Sequence, residues 1–167
     1  FLQQPIRALR ANHYPALHKP PLPGQLRAGA HSDYGSLTLL FQEEGLSGLE
    51  ILNRQKKWTP VAQCKPEMIV NLGDLMERWT NGRWISTLHR VNLPDTKTNQ
   101  PRMSLAFFHQ PDWDARIECL PMCVSPGETA KYSVVTSGRH LMERFHSTVL
   151  DVDDSTFSQI EEKNKNN

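Results

Sequence analysis

The most informative stretch of the sequence is AHSDYG, residues 30–35. Side chains two residues apart lie on the same side of an extended backbone, so His31 and Asp33 are able to reach one metal ion. Together they offer a neutral imidazole and a hard carboxylate. The pair predicts a metal site, but the His-x-Asp pattern alone is weak because chance supplies it readily.

A third ligand has to come from another part of the chain, and His89 is the best candidate. It lies in STLHRV, residues 86–91, where apolar neighbours favour a strand. Two histidines and one carboxylate form a facial triad that leaves three coordination positions open, which is typical of non-haem Fe(II) oxygenases. Residue type alone does not single it out, because five other histidines are present: His13, His18, His109, His140 and His146.

A second polar pair lies downstream of His89, in RMS at residues 102–104. Arg102 and Ser104 share one face of a predicted strand, followed on that face by Ala106 and Phe108. Arginine presents a planar fork of donors that matches a carboxylate, and a neighbouring hydroxyl adds a further hydrogen bond. The pair suits the far carboxylate of a dicarboxylic keto acid. An arginine in a surface salt bridge beside a serine in a sheet is the alternative interpretation.

Short β-type runs separated by turn residues make up most of the chain. Helical spacing is confined to Asp74–Trp79 and Ser137–Thr148. Many strands and few helices predict a mainly β fold, a double-stranded β-helix (jelly roll) with a few short helices and a C-terminal helix. The predicted strands are Leu9–Tyr14, Leu26–His31, Ser36–Phe41, Leu49–Asn53, Trp58–Val61, Met68–Asn71, Thr87–Asn92 and Met103–His109.

A length of 167 residues fits one domain. We expect residues 1–125 to form the jelly-roll core. Residues 126–167 are expected to form a C-terminal helix and polar tail, packed on or trailing from the same domain.

Composition excludes several classes of function. A net charge of +1 and scattered basic residues give no support for binding nucleic acid or an anionic membrane. No apolar run has the roughly 20 residues that a membrane-spanning helix needs. Three cysteines, Cys64, Cys119 and Cys123, are too few for a disulfide framework and favour a reducing cytoplasmic location. Oligomeric state is not predicted.

Five motifs follow one another in a fixed order: NHYP (residues 12–15), HSDYGSLT (31–38), IVNLGD (69–74), STLHRV (86–91) and PRMS (101–104). As an ordered set they resemble the isopenicillin N synthase-like family of 2-oxoglutarate/Fe(II)-dependent dioxygenases. The resemblance covers most of the chain from Leu9 to Leu120. In that family a substantial N-terminal region precedes the first motif, whereas here only Phe1–Arg10 precedes the NHYP strand.

The resemblance implies an enzyme that uses Fe(II), 2-oxoglutarate and O2 to oxidise a small organic substrate, with release of succinate and CO2. Hydroxylation is the expected outcome. The resemblance also assigns roles to eight residues. The metal ligands and catalytic centre are His31, Asp33 and His89. The residues that bind 2-oxoglutarate are Arg102, Ser104 and Tyr14, with Asn12 in support, and the residue that faces the substrate is Phe108.

Other residues in the motifs are interpreted as structural. Asn71 and Gly73 are expected to end a strand and begin a turn, with Asp74 placed to cap it. Three other functions remain open from the sequence: an oxidase with the same triad that does not use 2-oxoglutarate, a non-catalytic jelly-roll fragment or binding module, and a zinc hydrolase. The zinc hydrolase leaves the Arg-x-Ser strand unexplained.

Overall fold

The computed structural model describes residues 2–43, 48–61, 67–93 and 100–148. Cys64 and the predicted polar tail lie outside these residues. In the described part of the chain, strands outnumber helices as predicted. The elements in chain order are β1 (Pro5–Tyr14), β2 (Ala28–His31), β3 (Leu37–Gln42), β4 (Leu49–Leu52), β5 (Trp58–Pro60), β6 (Ile69–Leu72), α1 (Asp74–Trp79), β7 (His89–Val91), β8 (Arg102–Asp112), β9 (Arg116–Ile117), a 3₁₀ turn (Pro121–Cys123), β10 (Val135–Thr136) and α2 (Ser137–Thr148).

Two four-stranded antiparallel sheets form the body of the molecule. The first has the strand order β1-β8-β3-β6, and the second has the order β2-β7-β4-β5. Apart from the β4–β5 hairpin, neighbouring strands in both sheets are distant in sequence, which is the connectivity of a jelly roll rather than of a run of hairpins. The predicted fold class is therefore confirmed.

All eight predicted strands are present, although each differs from its prediction at one or both ends. β1 begins at Pro5 rather than Leu9, because the long strand β8 supplies partners as far as Asp112. β9 and β10 were not predicted, and each has only two residues that pair with one another. Strands of two residues are too short to display the alternation on which such predictions depend.

The inner face of the first sheet is unusually polar. In β8 the alternation is regular: Arg102, Ser104 and Ala106 are buried, whereas Met103 and Leu105 are exposed. Arginine and serine are seldom buried in a β-sandwich, where apolar side chains normally fill the interior. A row of buried polar groups between two sheets therefore marks the position of a binding site.

The purely apolar core lies away from that row. Leu75 of α1, Ile117 of β9 and Val135 of β10 pack together, and Trp79 packs against them. This small core joins α1, β9 and β10, and α2 follows β10 directly in the chain. None of the helices in the described part of the chain is long and apolar enough to cross a membrane.

Candidate active site

A cavity of about 170 Å³ lies between the two sheets. Most of its lining residues come from β1, β3, β6 and β8 of the first sheet and from β2, β4 and β7 of the second, and Asp33, Val61 and Thr87 come from the segments between strands. All eight residues that the sequence analysis singled out line this cavity: Asn12, Tyr14, His31, Asp33, His89, Arg102, Ser104 and Phe108.

Strand pairing brings the two histidines together. His31 at the end of β2 is the direct cross-strand partner of His89 at the start of β7. Side chains of directly paired residues lie on the same side of a sheet. The two rings are accordingly in contact, with centroids 4.3 Å apart and an angle of 55° between their planes.

Hydrogen bonds fix the same nitrogen in both imidazoles. His31 Nδ1 donates to the Gly29 carbonyl at 2.8 Å, and His89 Nδ1 donates to the Thr87 carbonyl at 3.0 Å. A carbonyl oxygen only accepts, so Nδ1 carries the proton of each neutral ring. Nε2 is then left with a free lone pair, which is the state that binds a metal ion.

The Asp33 side chain is buried, and its two oxygens have different partners. Oδ1 lies 3.7 Å from Nε2 of His89. Oδ2 accepts hydrogen bonds from the hydroxyl of Thr38 and the amide of Asn71, each at 2.6 Å. The carboxylate is therefore held so that Oδ1 is the oxygen turned toward the histidines.

The loop that carries Asp33 is held by the turn before α1. The backbone amide of Asp74 donates to the Asp33 carbonyl at 2.8 Å, and that of Gly73 donates to the Ser36 carbonyl at 2.9 Å. A Cβ at Gly73 would overlap the carbonyl oxygen of Gly35 and lie 2.9 Å from that of Asp33. Only glycine permits this close approach of two backbone segments.

These three side chains fit a metal ion. One ligand atom from each of His31, Asp33 and His89 lies within 4.8 Å of the others, and no other cluster of this kind occurs among the described residues. Two imidazoles and one carboxylate suit Fe(II), and a set of three leaves positions for further ligands.

The cavity has a basic end, which is formed by Arg102, Ser104 and Tyr14. Arg102 is buried, and its guanidinium carbon lies 4.5 Å from the centroid of the Tyr14 ring. Burial lowers the pKa of the Arg102 guanidinium from its ordinary value. The group still carries its charge at neutral pH, because arginine titrates far above that range. A buried positive charge beside two hydroxyl-bearing residues, Tyr14 and Ser104, fits a carboxylate ligand.

Asn12 and Phe108 lie elsewhere along the same cavity wall. Asn12 on β1 pairs with Ser104, so its side chain extends the polar row across three strands. Phe108 is half-buried, and the guanidinium carbon of Arg10 lies 5.6 Å from the centroid of its ring.

The sequence model for the 2OG-Fe(II) oxygenase superfamily matches residues 5–111. The chain belongs to this superfamily. The match covers every residue of the triad and of the basic end, so the wider family predicted from the ordered motifs is confirmed. The narrower isopenicillin N synthase-like assignment stays a prediction.

Named relatives agree with this family. A 2-oxoglutarate-Fe(II) type oxidoreductase of the ppzD kind from Metarhizium rileyi is 40% identical over 81% of this chain and 40% of its own length. Validamycin A dioxygenase from Streptomyces hygroscopicus is 36% identical over 80% of this chain and 37% of its own. A Neurospora crassa protein crystallised with alpha-KG and thymine superposes with a TM-score of 0.80, at 35% identity, over 89% of this chain and 46% of that one. The chain thus spans less than half the length of these relatives.

Helix α2 contacts the loop that carries Asp33 on both sides of that residue. Arg144 of α2 donates to the hydroxyl of Ser32 at 3.1 Å, and its Nε lies 3.1 Å from the Asp74 carboxylate. The Phe145 ring meets the Tyr34 ring edge-on, with centroids 5.7 Å apart. The C-terminal helix therefore braces the segment from which the carboxylate projects.

Asp74 has a role that the sequence analysis did not foresee. The expectation that it caps α1 is wrong, because Gly73 occupies the N-cap position and Asp74 lies in the first turn of α1. Burial alone would raise the pKa of the Asp74 carboxyl, but hydrogen bonds from three side chains and the charge of Arg144 outweigh it, so the pKa is lowered. The three hydrogen-bonding side chains are His140, Ser86 and Ser32.

Sequence reasoning also missed three polar residues that line the cavity. Asn71 was interpreted as structural, and Thr38 and Gln42 were not considered as site residues. A signal was available for Thr38, which lies inside the HSDYGSLT motif, and for Asn71, which lies inside IVNLGD. Neither motif reveals that both side chains meet the same oxygen of Asp33, because β3 and β6 become neighbours only in the folded sheet.

Proposed function

We propose that this chain is the catalytic part of an Fe(II)- and 2-oxoglutarate-dependent oxygenase that oxidises a small organic molecule, with hydroxylation as the reaction. One observation carries the proposal. The two-histidine, one-carboxylate cluster and the buried Arg102 lie in the same cavity between the sheets. Many kinds of enzyme have a metal site. A metal site and a buried cationic side chain in the same cavity fit a keto acid that binds the metal at one end and the cation at the other.

In this proposal His31, Asp33 and His89 hold Fe(II). The Nδ1 hydrogen bonds of the histidines keep both rings in the metal-binding tautomer and fix their orientation. Thr38 and Asn71 engage Oδ2 of Asp33, so the carboxylate presents Oδ1 to the metal. Three protein ligands leave the remaining positions for the co-substrate and O2.

Arg102, Ser104 and Tyr14 hold the distal carboxylate of 2-oxoglutarate, with Asn12 extending the polar row. The planar guanidinium forms two parallel hydrogen bonds with a carboxylate, which fixes the direction of the bound keto acid as well as its affinity. The keto-acid end of 2-oxoglutarate then points from β8 toward the triad. When bound, Fe(II) and 2-oxoglutarate supply the oxidising chemistry, with consumption of O2 and release of succinate and CO2.

The organic substrate binds on the side of the cavity where Phe108 lies. The half-buried ring and the nearby Arg10 guanidinium offer an aromatic face and a positive charge to a small molecule. Relatives engage compact organic compounds, as the name validamycin A dioxygenase and the thymine bound to the Neurospora crassa protein indicate for those two proteins. A compound of similar size suits this chain.

The test is formation of succinate from 2-oxoglutarate by the purified chain with Fe(II) and O2, across a panel of small organic compounds. We expect succinate formation that requires added iron and is lost in Asp33→Ala. Undiminished turnover in Asp33→Ala at equal iron would contradict the proposed triad. Oxygen uptake that does not require 2-oxoglutarate would instead identify an oxidase with the same metal ligands.

We further propose that the chain works in the cytoplasm. Cys119 and Cys123 are both free thiols in the structure, which suits a reducing compartment. We also propose that residues 1–125 supply the jelly-roll core and that residues 126–167 belong to the same domain, with α2 supporting the ligand-bearing loop.

A further inference from the structure

Gln42, the last residue of β3, is a buried amide at the basic end of the cavity. It is 9% exposed and lines the cavity with Arg102, Ser104 and Tyr14. Strand pairing accounts for this position, because Gln42 is the direct cross-strand partner of Ser104 on β8. Ser104 pairs in turn with Asn12 on β1, so one polar row crosses three strands.

The orientation of the Gln42 amide is determined by its neighbour. Arg102 Nη1 donates a hydrogen bond to Gln42 Oε1 at 2.9 Å. Arginine has donors only, so the carbonyl end of the amide must face it. The NH2 end cannot exchange places with the oxygen without setting two donors against each other.

The other end of that amide is buried without a hydrogen-bond partner. Among the described residues, Nε2 of Gln42 has no acceptor. Buried donors that lack an acceptor are rare in proteins, and they are costly because the group has lost its water. An unpaired donor on a residue that lines a ligand cavity is most simply explained by an acceptor on the ligand.

We propose that Gln42 binds the co-substrate: its Oε1 positions Arg102, and its Nε2 donates a hydrogen bond to the carboxylate that Arg102 holds. This inference rests on the proposed function. Because Oε1 and Nε2 belong to one small carboxamide group, an anion bound to the guanidinium lies beside the free N–H. Gln42 thereby links the charged anchor of β8 to a neutral donor on β3 and makes the site selective for keto acids that have a second carboxylate.

The test compares two keto acids of equal length on the full chain loaded with Fe(II) under nitrogen. One is 2-oxoglutarate, and the other is 2-oxopentanoate, which ends in a methyl group instead of a carboxylate. Calorimetric titration gives the Kd of each. For Gln42→Leu we expect the Kd of 2-oxoglutarate to rise about ten- to a hundredfold, as for loss of a hydrogen bond to a charged group. The Kd of 2-oxopentanoate and the affinity for Fe(II) should stay unchanged.

Two further variants separate this role from a structural one. Gln42→Glu keeps the shape but sets a negative charge beside the bound carboxylate, so it should weaken 2-oxoglutarate binding at least as strongly, and it serves if Gln42→Leu does not fold. Gln110→Leu is the matched control. Gln110 lies on β8 and, like Gln42, it is buried and has an amide atom without a hydrogen-bond partner among the described residues. Unlike Gln42, it does not line this cavity.

Equal loss of affinity for both keto acids, or an unchanged Kd for 2-oxoglutarate in both Gln42 variants, would overturn the inference and leave the proposed function intact. A wild-type chain that binds Fe(II) but not 2-oxoglutarate would overturn both. Loss of 2-oxoglutarate binding in Gln110→Leu of the same size as in Gln42→Leu would also overturn the inference.

Discussion

The two oxygens of the Asp33 carboxylate are not equivalent. Both of its side-chain hydrogen bonds, from Thr38 and Asn71, converge on Oδ2. A group that hydrogen-bonds to a metal ligand fixes the orientation of that ligand and tunes its basicity. Its loss therefore commonly lowers the affinity for the metal. Thr38 and Asn71 thus act on the metal through Asp33 without touching it.

We predict that Thr38→Val and Asn71→Ala each weaken Fe(II) binding by about ten- to a hundredfold. The measurement is competition between the protein and a coloured chelator under nitrogen. Asn53→Ala is a suitable control, because that amide donates to Thr59 of β5 and neither residue lines the cavity. Iron affinity equal to that of wild type in both site variants would show that Asp33 needs no support.

Residue identity allowed the triad to be predicted, since His31, Asp33 and His89 each lie in a motif with a distinctive neighbourhood. The supporting residues were less accessible. Gln42 lies outside the five motifs, and the motif that contains Thr38 does not say what its side chain contacts. The pairing of β3 with β6 and β8 reveals that both residues face the cavity. Their roles depend on cross-strand neighbours, which a single sequence does not specify.

At the scale of elements, the turn between β6 and α1 determines where the Asp33 loop lies. Gly73 allows that turn to contact the backbone of Gly35 and Asp33 more closely than any side chain permits. The contact is held by backbone hydrogen bonds from Gly73, Asp74 and Leu75 to the loop. These contacts therefore fix the position of the loop relative to the start of α1.

We predict that Gly73→Ala destabilises the protein by about 1–3 kcal/mol, the usual cost of an overpacked site, and weakens Fe(II) binding because the Asp33 loop must shift. Thermal unfolding and iron titration measure the two effects. Gly29→Ala is the control, since a Cβ at Gly29 has no heavy atom within 4 Å. If Gly73→Ala retains both wild-type stability and iron affinity, the close approach has no role in the site.

The helices were predicted with the bounds that the structure has, because amphipathic spacing and turn residues mark their ends. The ends of the strands were less predictable. β1 extends to Pro5 only because β8 continues opposite to it, and β9 and β10 are defined by each other. Strand ends depend on tertiary partners, whereas helix ends depend on local sequence.

At the scale of the molecule, the segment before β10 is tied to α1 by a partly buried hydrogen bond. The Tyr132 hydroxyl donates to the Glu77 carboxylate at 2.7 Å, and the same carboxylate accepts from the backbone of Ser86. Burial, together with the Glu77 carboxylate, raises the pKa of Tyr132 to about 12. The protonated phenol is thus favoured more in the folded than in the unfolded chain.

That shift has a consequence for stability in alkali. The contribution of Tyr132 is fully present below its ordinary pKa of about 10 and is lost as the pH rises through about 12. We predict that Tyr132→Phe is less stable than wild type by roughly 1–2 kcal/mol at pH 8, and that this difference shrinks above pH 10. Urea unfolding of both proteins between pH 8 and pH 11 tests this. A difference that stays constant over that range would contradict the account.

The central claim is that one cavity holds Fe(II) at the triad and a keto acid between the triad and Arg102. The most direct measurement is anaerobic: Fe(II) is added to the chain, then 2-oxoglutarate, and the visible absorption spectrum is recorded. We predict a weak, broad band that requires both additions and is absent in His89→Ala. Tight iron binding with no such band would contradict the claim that the two ligands share this site.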